Sequence, residues 1–409
     1  MDRRIKSIIY FMASVVISTP SLATDKEMLP PNKNAVHADA PIIFPKPTGP
    51  FSVGYKNFEF TDNKREDPYN PGHKRRLKVT VWYPSKDSLK LEPYGSEERI
   101  SMERTLRDEK VAPPDLKTDM EQFDRLKVYK SANAAPIKGK TPVILLEHGY
   151  GATPGSYQSL IQELVSNGYI VVATHHPYIA DDVLFQNGNE ALQDVEKVKK
   201  DNILIKTSMD DISFVLGSLS EMKPLSQLMD LEKIGMLGHS LGGIITMKTA
   251  RVNKRIKAAV ELDAPMKTTL AEMNIAPLNP ACFDIPFLYI FADKAFRQNI
   301  IDDKGVIIQK KEDIWNDFNG LCMKKNNYKA IITDTAHNSF TDYVLLKDML
   351  PFLKKKGMTF EAGENNGFKI YPIVALLIRS FFDRFLMNKT EIDLMKFNNK
   401  NIRIETVKE

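Results

Sequence analysis

Residues Gly238, His239, Ser240, Leu241, Gly242 and Gly243 fit the spacing G-x-S-x-G. That spacing sets a serine hydroxyl on a sharp strand-to-helix turn, where it can serve as a nucleophile. The context agrees: the apolar run 234–238 precedes the serine, and LGGIITMKTA follows it with helical character. The turn strains the serine backbone, so glycine is needed on both sides to leave room. The free N–H groups of the helix N-terminus then face the site. An ordinary tight turn with a capping serine would share the letters but not this strand-and-helix setting. His239, at the variable position, is expected to point away from the site in a structural role. A serine hydroxyl becomes reactive only beside a base that an acid orients, so the remaining chain must supply both.

The flanking elements alternate between strand and helix. TPVILLEH (141–148), GYIVVATHH (168–176), IGMLGH (234–239), KAAVELD (257–263), PFLYIFAD (286–293) and YKAIITDTA (328–336) are short apolar runs suited to buried parallel strands. Helices are predicted over 153–167, from about 241, and over 199–220. In the last of these, Ile205, Met209, Ile212, Leu216 and Leu219 recur at three- and four-residue steps. A final helix covers 372–386, where Arg379, Asp383 and Arg384 argue against a membrane span. Upstream, 51–60 and 75–84 read as two strands whose short connection makes them antiparallel. The fold class is therefore α/β, a mainly parallel sheet with helices on both faces. Residues 85–138 are polar and lack clear periodicity. They are expected to form an insertion, part helical, of the kind that can cover a site.

With a nucleophile elbow in such a sheet, the chain order is serine, acid, histidine. Of the seven histidines only His337 lies beyond Ser240, so His337 is the base. His175 and His176 end an earlier strand, at the pocket mouth or in packing roles. Two aspartates end strands after the elbow, Asp263 in VELDAP and Asp293 in IFADKA, and spacing alone does not choose between them. The unused one is expected in a loop or helix cap. Glu147-His148-Gly149-Tyr150-Gly151 follows a buried strand, where a His-Gly step can offer a backbone N–H opposite the nucleophile. The expected oxyanion donors are the N–H groups of Tyr150 and Leu241.

The 409 residues carry 57 Lys+Arg, 52 Asp+Glu and 43% hydrophobic residues. Disorder and charge-driven nucleic-acid binding are excluded by this balance. Residues 1–23 combine Arg3, Arg4 and Lys6, an apolar run from Ser7 to Ile17 and S-L-A at 21–23. This reads as a secretory signal cleaved after Ala23, too short to span a bilayer as an anchor. The expected location is secreted, periplasmic or in the cell envelope, beyond an N-terminal signal. Residues 24–50, with six prolines, read as an extended arm, 51–390 as the main domain and 391–409 as a tail. Cys282 and Cys322, the only cysteines, either form a disulfide in that oxidising compartment or remain two buried thiols. No cofactor is implied, and no calcium or zinc cluster is apparent.

The chain resembles the secreted, plasma-type platelet-activating-factor acetylhydrolases, which are α/β-hydrolases. The resemblance runs from about 49 to 390. It rests on G-P-F-S-V-G-Y (49–55), V-W-Y-P-S (81–85), H-G-Y-G (148–151), G-H-S-L-G-G (238–243), E-L-D-A-P-M (261–266) and H-N-S-F-T-D (337–342). That family takes its acid from the L-D-A segment, so the resemblance selects Asp263, with Tyr150 and Leu241 as oxyanion donors. It implies a serine esterase acting on lipid esters, on phospholipids with short or oxidised acyl chains. Other readings are a general carboxylesterase or polyester hydrolase with the same triad, and a non-catalytic envelope binding protein. The partner is a lipid or small ester, with no nucleic acid. Residues 345–358, LLKDMLPFLKKKGM, set apolar residues beside lysines and suggest a lipid-docking surface, although the same apolar residues could simply cover the sheet.

Overall fold

The computed structural model describes residues 40–194, 197–198, 203–265, 282–301, 307–358 and 361–407. The expected signal segment, most of the proline-rich arm and residues 199–202 of one expected helix lie outside the described residues. Ten strands form one sheet. They are β1 (Ser52–Glu66), β2 (Lys74–Ser85), β3 (Ser131–Ala132), β4 (Thr141–Glu147), β5 (Ile170–His175), β6 (Met229–His239), β7 (Ile256–Leu262), β8 (Phe287–Ala292), β9 (Asn327–Ile332) and β10 (Ile402–Thr406). Their order across the sheet is β10-β9-β8-β7-β6-β4-β5-β2-β1-β3. The six central strands from β9 to β5 are parallel, and β1 and β2 pair antiparallel as expected. Residues 391–409, read as a tail, supply the antiparallel edge strand β10.

Each parallel strand is apolar because both its faces are covered. In β4, Val143 and Leu145 join one buried cluster, and Ile144 and Leu146 join the other. Period-two alternation thus feeds two cores from one strand. On one face pack α4 (Leu204–Ser218), through Ile212, Val215 and Leu216, and α5 (Leu241–Val252), through Leu241, Ile244 and Ile245. On the other pack α3 (Gln158–Ser166) and α6 (Gly367–Phe385). Helix α6 starts before Pro372 rather than at it. No helix among the described residues is long and apolar enough to cross a membrane.

The insertion at 85–138 is part helical, as expected, and also contributes to the core. It forms α1 (Ser96–Asp108) and α2 (Pro113–Asp124). Met102, Leu106, Leu116, Met120 and Phe123 are buried in the same cluster as α3 and α6. Their spacing is helical, but two short helices with charged outer faces dilute the periodic signal. The arm is tied to this layer. Ile42 and Ile43 pair with Leu126 and Lys127 beyond α2, and the Thr48 backbone N–H donates to Glu163 Oε2 at 2.9 Å.

Residues 345–358 follow the second of their two readings, as a cover for the sheet. Leu345, Leu346, Met349, Leu350, Phe352 and Leu353 are all buried in that cluster. Lys347 is buried too, donating to the Asn365 carbonyl at 2.5 Å. These residues cover the sheet, and no apolar surface is left there for docking on lipid. Cys282 and Cys322 are joined as a disulfide across a separation of 40 residues, a closure worth about 4 kcal/mol in the chain-entropy model.

Because the insertion shares its core with the sheet, Phe123→Ala should destabilise the whole domain by about 3–5 kcal/mol. Denaturant unfolding followed by fluorescence and circular dichroism should show one shifted transition. A native midpoint, or separate melting of the insertion alone, would contradict this packing.

Candidate active site

Ser240 stands between β6 and α5 at φ 57° and ψ −120°. This is the left-handed region, where a non-glycine residue is strained. The flanking glycines have a steric cause. A Cβ on Gly238 would run into the Gly242 carbonyl, and one on Gly242 into the Glu147 carbonyl at the end of β4. The Ser240 N–H donates to the Leu262 carbonyl at 2.9 Å, which pins the turn to β7.

The structure brings Ser240, His337 and Asp263 together. His337 Nε2 lies 2.9 Å from Ser240 Oγ, and His337 Nδ1 lies 2.7 Å from Asp263 Oδ2. An ionised Asp263 only accepts, so Nδ1 carries the ring proton and Nε2 faces the serine hydroxyl as an acceptor. The other Asp263 oxygen accepts the Ala292 N–H at 2.8 Å, so β8 props the carboxylate. Burial of His337 works against its protonation. The hydrogen bond and charge of Asp263 outweigh it and raise the imidazole above its ordinary 6.5.

The two expected oxyanion donors belong to segments next to Ser240. Leu241 is the first residue of α5, where helix geometry leaves the N–H without an intrahelical acceptor. Tyr150 follows Gly149, and a Cβ built on Gly149 would lie 3.4 Å from Ser240 Cβ.

Asp293 is not the partner of His337 Nδ1. It precedes the short helix Lys294–Arg297, accepts the Thr335 N–H at 3.0 Å and pairs with Arg297 at 3.2 Å. It fastens the loop that carries His337. His175 and His176 are both buried, and His175 lines a cavity together with Lys78, Thr80 and Glu97. His176 bridges Glu147 at 2.8 Å and Asp211 at 3.0 Å. Burial opposes its charge, but these two carboxylates push it up to about 9.

His239 departs from its reading in one respect. It is buried, yet it touches His337: its Nε2 is 2.9 Å from the His337 carbonyl, and its Nδ1 is 2.9 Å from Tyr157 Oη. Asp342, last in H-N-S-F-T-D, is also placed by the structure. It accepts the Ser159 N–H at 3.1 Å in the first turn of α3 and the Tyr94 hydroxyl at 2.9 Å. Burial pushes its carboxyl up to about 7. No motif spacing in the sequence marks Tyr157 or Tyr94.

Residues 37–198 match the family model described as "Platelet-activating factor acetylhydrolase, isoform II". A "Probable 1-alkyl-2-acetylglycerophosphocholine esterase" of Arthroderma benhamiae is 27% identical over 248 residues, 56% of this chain and 61% of that protein. A "Platelet-activating factor acetylhydrolase" of Canis lupus familiaris is 24% identical over 259 residues, 54% of this chain and 55% of its own. The chain is similar to platelet-activating-factor acetylhydrolases over part of its length. The chain spans less than two-thirds of the length of these acetylhydrolase relatives. Residues 131–278 also match the model described as "Chlorophyllase". A solved ferulic acid esterase from Streptomyces cinnamoneus superposes with a TM-score of 0.65 at 23% identity, over 86% of this chain and 94% of that one. That likeness, with the parallel sheet, makes the fold an α/β-hydrolase.

In an NMR titration His337 should have its midpoint above 6.5, and Asp263→Asn should bring it below. The substitution removes the carboxylate while burial of the ring remains. A midpoint unmoved by Asp263→Asn would contradict the pairing.

Proposed function

We propose that the chain is a serine esterase in which Ser240 is the nucleophile, His337 the general base and Asp263 the acid that orients it. The observation that carries this reading is the unbroken line from Asp263 Oδ2 through the His337 ring to Ser240 Oγ, at 2.7 and 2.9 Å. His337 Nε2 takes the serine proton as Oγ attacks the ester carbonyl. The carbonyl oxygen becomes an oxyanion facing the N–H groups of Leu241 and Tyr150, each worth about 2.7–4 kcal/mol of transition-state stabilisation. Asp263 stabilises the imidazolium. His337 then returns the proton to the leaving alcohol, and an acyl-Ser240 remains. Water, deprotonated by His337, releases the acid.

The substrate class rests on the relatives rather than on a lipid-docking surface. The name of the Arthroderma benhamiae relative specifies an acetyl ester at position 2 of a glycerophosphocholine. We assign this chain to phospholipids with short or oxidised acyl chains. The backbone oxyanion donors polarise the carbonyl, a task for which no metal ion is required. Action beyond the cytoplasm is supported by the Cys282–Cys322 disulfide, since such bonds persist in oxidising compartments, and by the signal-like residues 1–23.

Hydrolysis should fall as the acyl chain is lengthened in a matched phospholipid series, and it should survive EDTA. Ser240→Ala should abolish it. Asp263→Asn should cost on the order of 10⁴-fold, as loss of the correct tautomer does in a well-studied triad, and Asp293→Asn far less. A preference for long chains or loss of activity with EDTA would refute the substrate class. Asp293→Asn as the crippling change would refute the choice of acid.

A further inference from the structure

We propose that Tyr157 and His239 are positioning residues that hold the oxyanion loop and the base loop at a fixed separation across the nucleophile. The proposal rests on the esterase reading and goes beyond it. Gly149, immediately before Tyr150, donates its N–H to Tyr157 Oη at 2.9 Å. The same oxygen lies 2.9 Å from His239 Nδ1, and His239 Nε2 lies 2.9 Å from the His337 carbonyl. A three-bond chain thus runs from the oxyanion loop to the backbone of the base, through the residue next to Ser240.

Its polarity is set by its two ends. A backbone N–H only donates and a carbonyl only accepts. Tyr157 Oη, already accepting from Gly149, gives its own proton to His239 Nδ1, and His239 Nε2–H donates to His337. A doubly protonated His239 would instead set a second cation 4.7 Å, ring to ring, from the His337 imidazolium that forms during reaction. Among the described residues no carboxylate pairs with His239. Burial and the neighbouring His337 hold its imidazole well below its ordinary value. Tyr157 and His239 are both buried, at 2% and 3% exposure, so water does not readily replace either bond.

The arrangement assigns two jobs to His239 that a packing residue lacks: accepting at one edge and donating at the other. A glutamine amide offers the same pair, whereas phenylalanine offers only the shape. The test compares Tyr157→Phe, His239→Phe and His239→Gln with the unaltered protein. It reads kcat and KM on p-nitrophenyl acetate and the rate at which a fluorophosphonate labels Ser240. Tyr157→Phe and His239→Phe should lower kcat and the labelling rate about 100-fold with KM nearly unchanged, the scale of a misplaced catalytic group. His239→Gln should recover most of that loss. If the ring only packs, the order reverses, and phenylalanine outperforms glutamine. Melting curves and near-UV circular dichroism of His239→Gln keep the comparison among folded proteins. Undiminished labelling in Tyr157→Phe and His239→Phe, or glutamine no better than phenylalanine, would overturn the positioning chain while leaving the esterase reading intact. Failure of the unaltered protein to label at Ser240 would overturn both.

Discussion

Ser240 holds φ 57° where a strand ends and a helix begins, a conformation costing a non-glycine residue about 1–3 kcal/mol. The surroundings leave it no alternative. The buried end of β6 fixes the backbone on one side, the first turn of α5 fixes it on the other, and the Ser240 N–H is held by the Leu262 carbonyl. Glycines 238 and 242 are the cost of that closeness, since any Cβ there meets a carbonyl. Once the turn is set, the hydroxyl projects from the sheet edge and the α5 N-terminus lies beside it. Everything else in the site is placed relative to that one residue.

The parallel sheet supplies the rest by convergence. Strands β4, β6, β7 and β9 all end on the same side, so the loops after them deliver Tyr150, Ser240, Asp263 and His337 to one place. Each loop is then fastened independently. Ala292 on β8 holds Asp263, Asp293 and Thr335 hold the His337 loop, and Asp342 ties that loop to the start of α3. Esterase chemistry needs its groups within a few tenths of an ångström. Here that tolerance comes from side-chain bonds between loops more than from the strands themselves.

Much of this was legible in the sequence, for identifiable reasons. Buried parallel strands must be continuously apolar, so β4 to β9 stood out as short hydrophobic runs. The strand, glycine, serine, glycine, helix order marked Ser240, and His337 was marked because no other histidine comes after it. Asp263 was different: two aspartates end neighbouring strands, and only family resemblance separated them before the 2.7 Å contact was seen. The insertion is legible as part helical, but its packing into the core is not, because α1 and α2 are short and their charged faces mask a few buried positions. The apolar run at 345–353 was equally readable as a surface or as core, and burial decides for core. Tyr157 carried no signal, because its role depends on Gly149 and His239 meeting in space. His239 was misplaced because a turn pattern says nothing about the second ring edge that reaches the His337 carbonyl.

The central claim is that Ser240 carries the acyl group. A carbamate ester tests it directly, because a carbamoylated serine hydrolyses slowly enough to be isolated. After incubation, digestion and mass spectrometry, the carbamoyl group should sit on the peptide containing Ser240. Loss of esterase activity should track its appearance, and Ser240→Ala should acquire none. Inactivation with the group on another residue, or continued ester hydrolysis by a protein whose Ser240 is fully carbamoylated, would contradict the account.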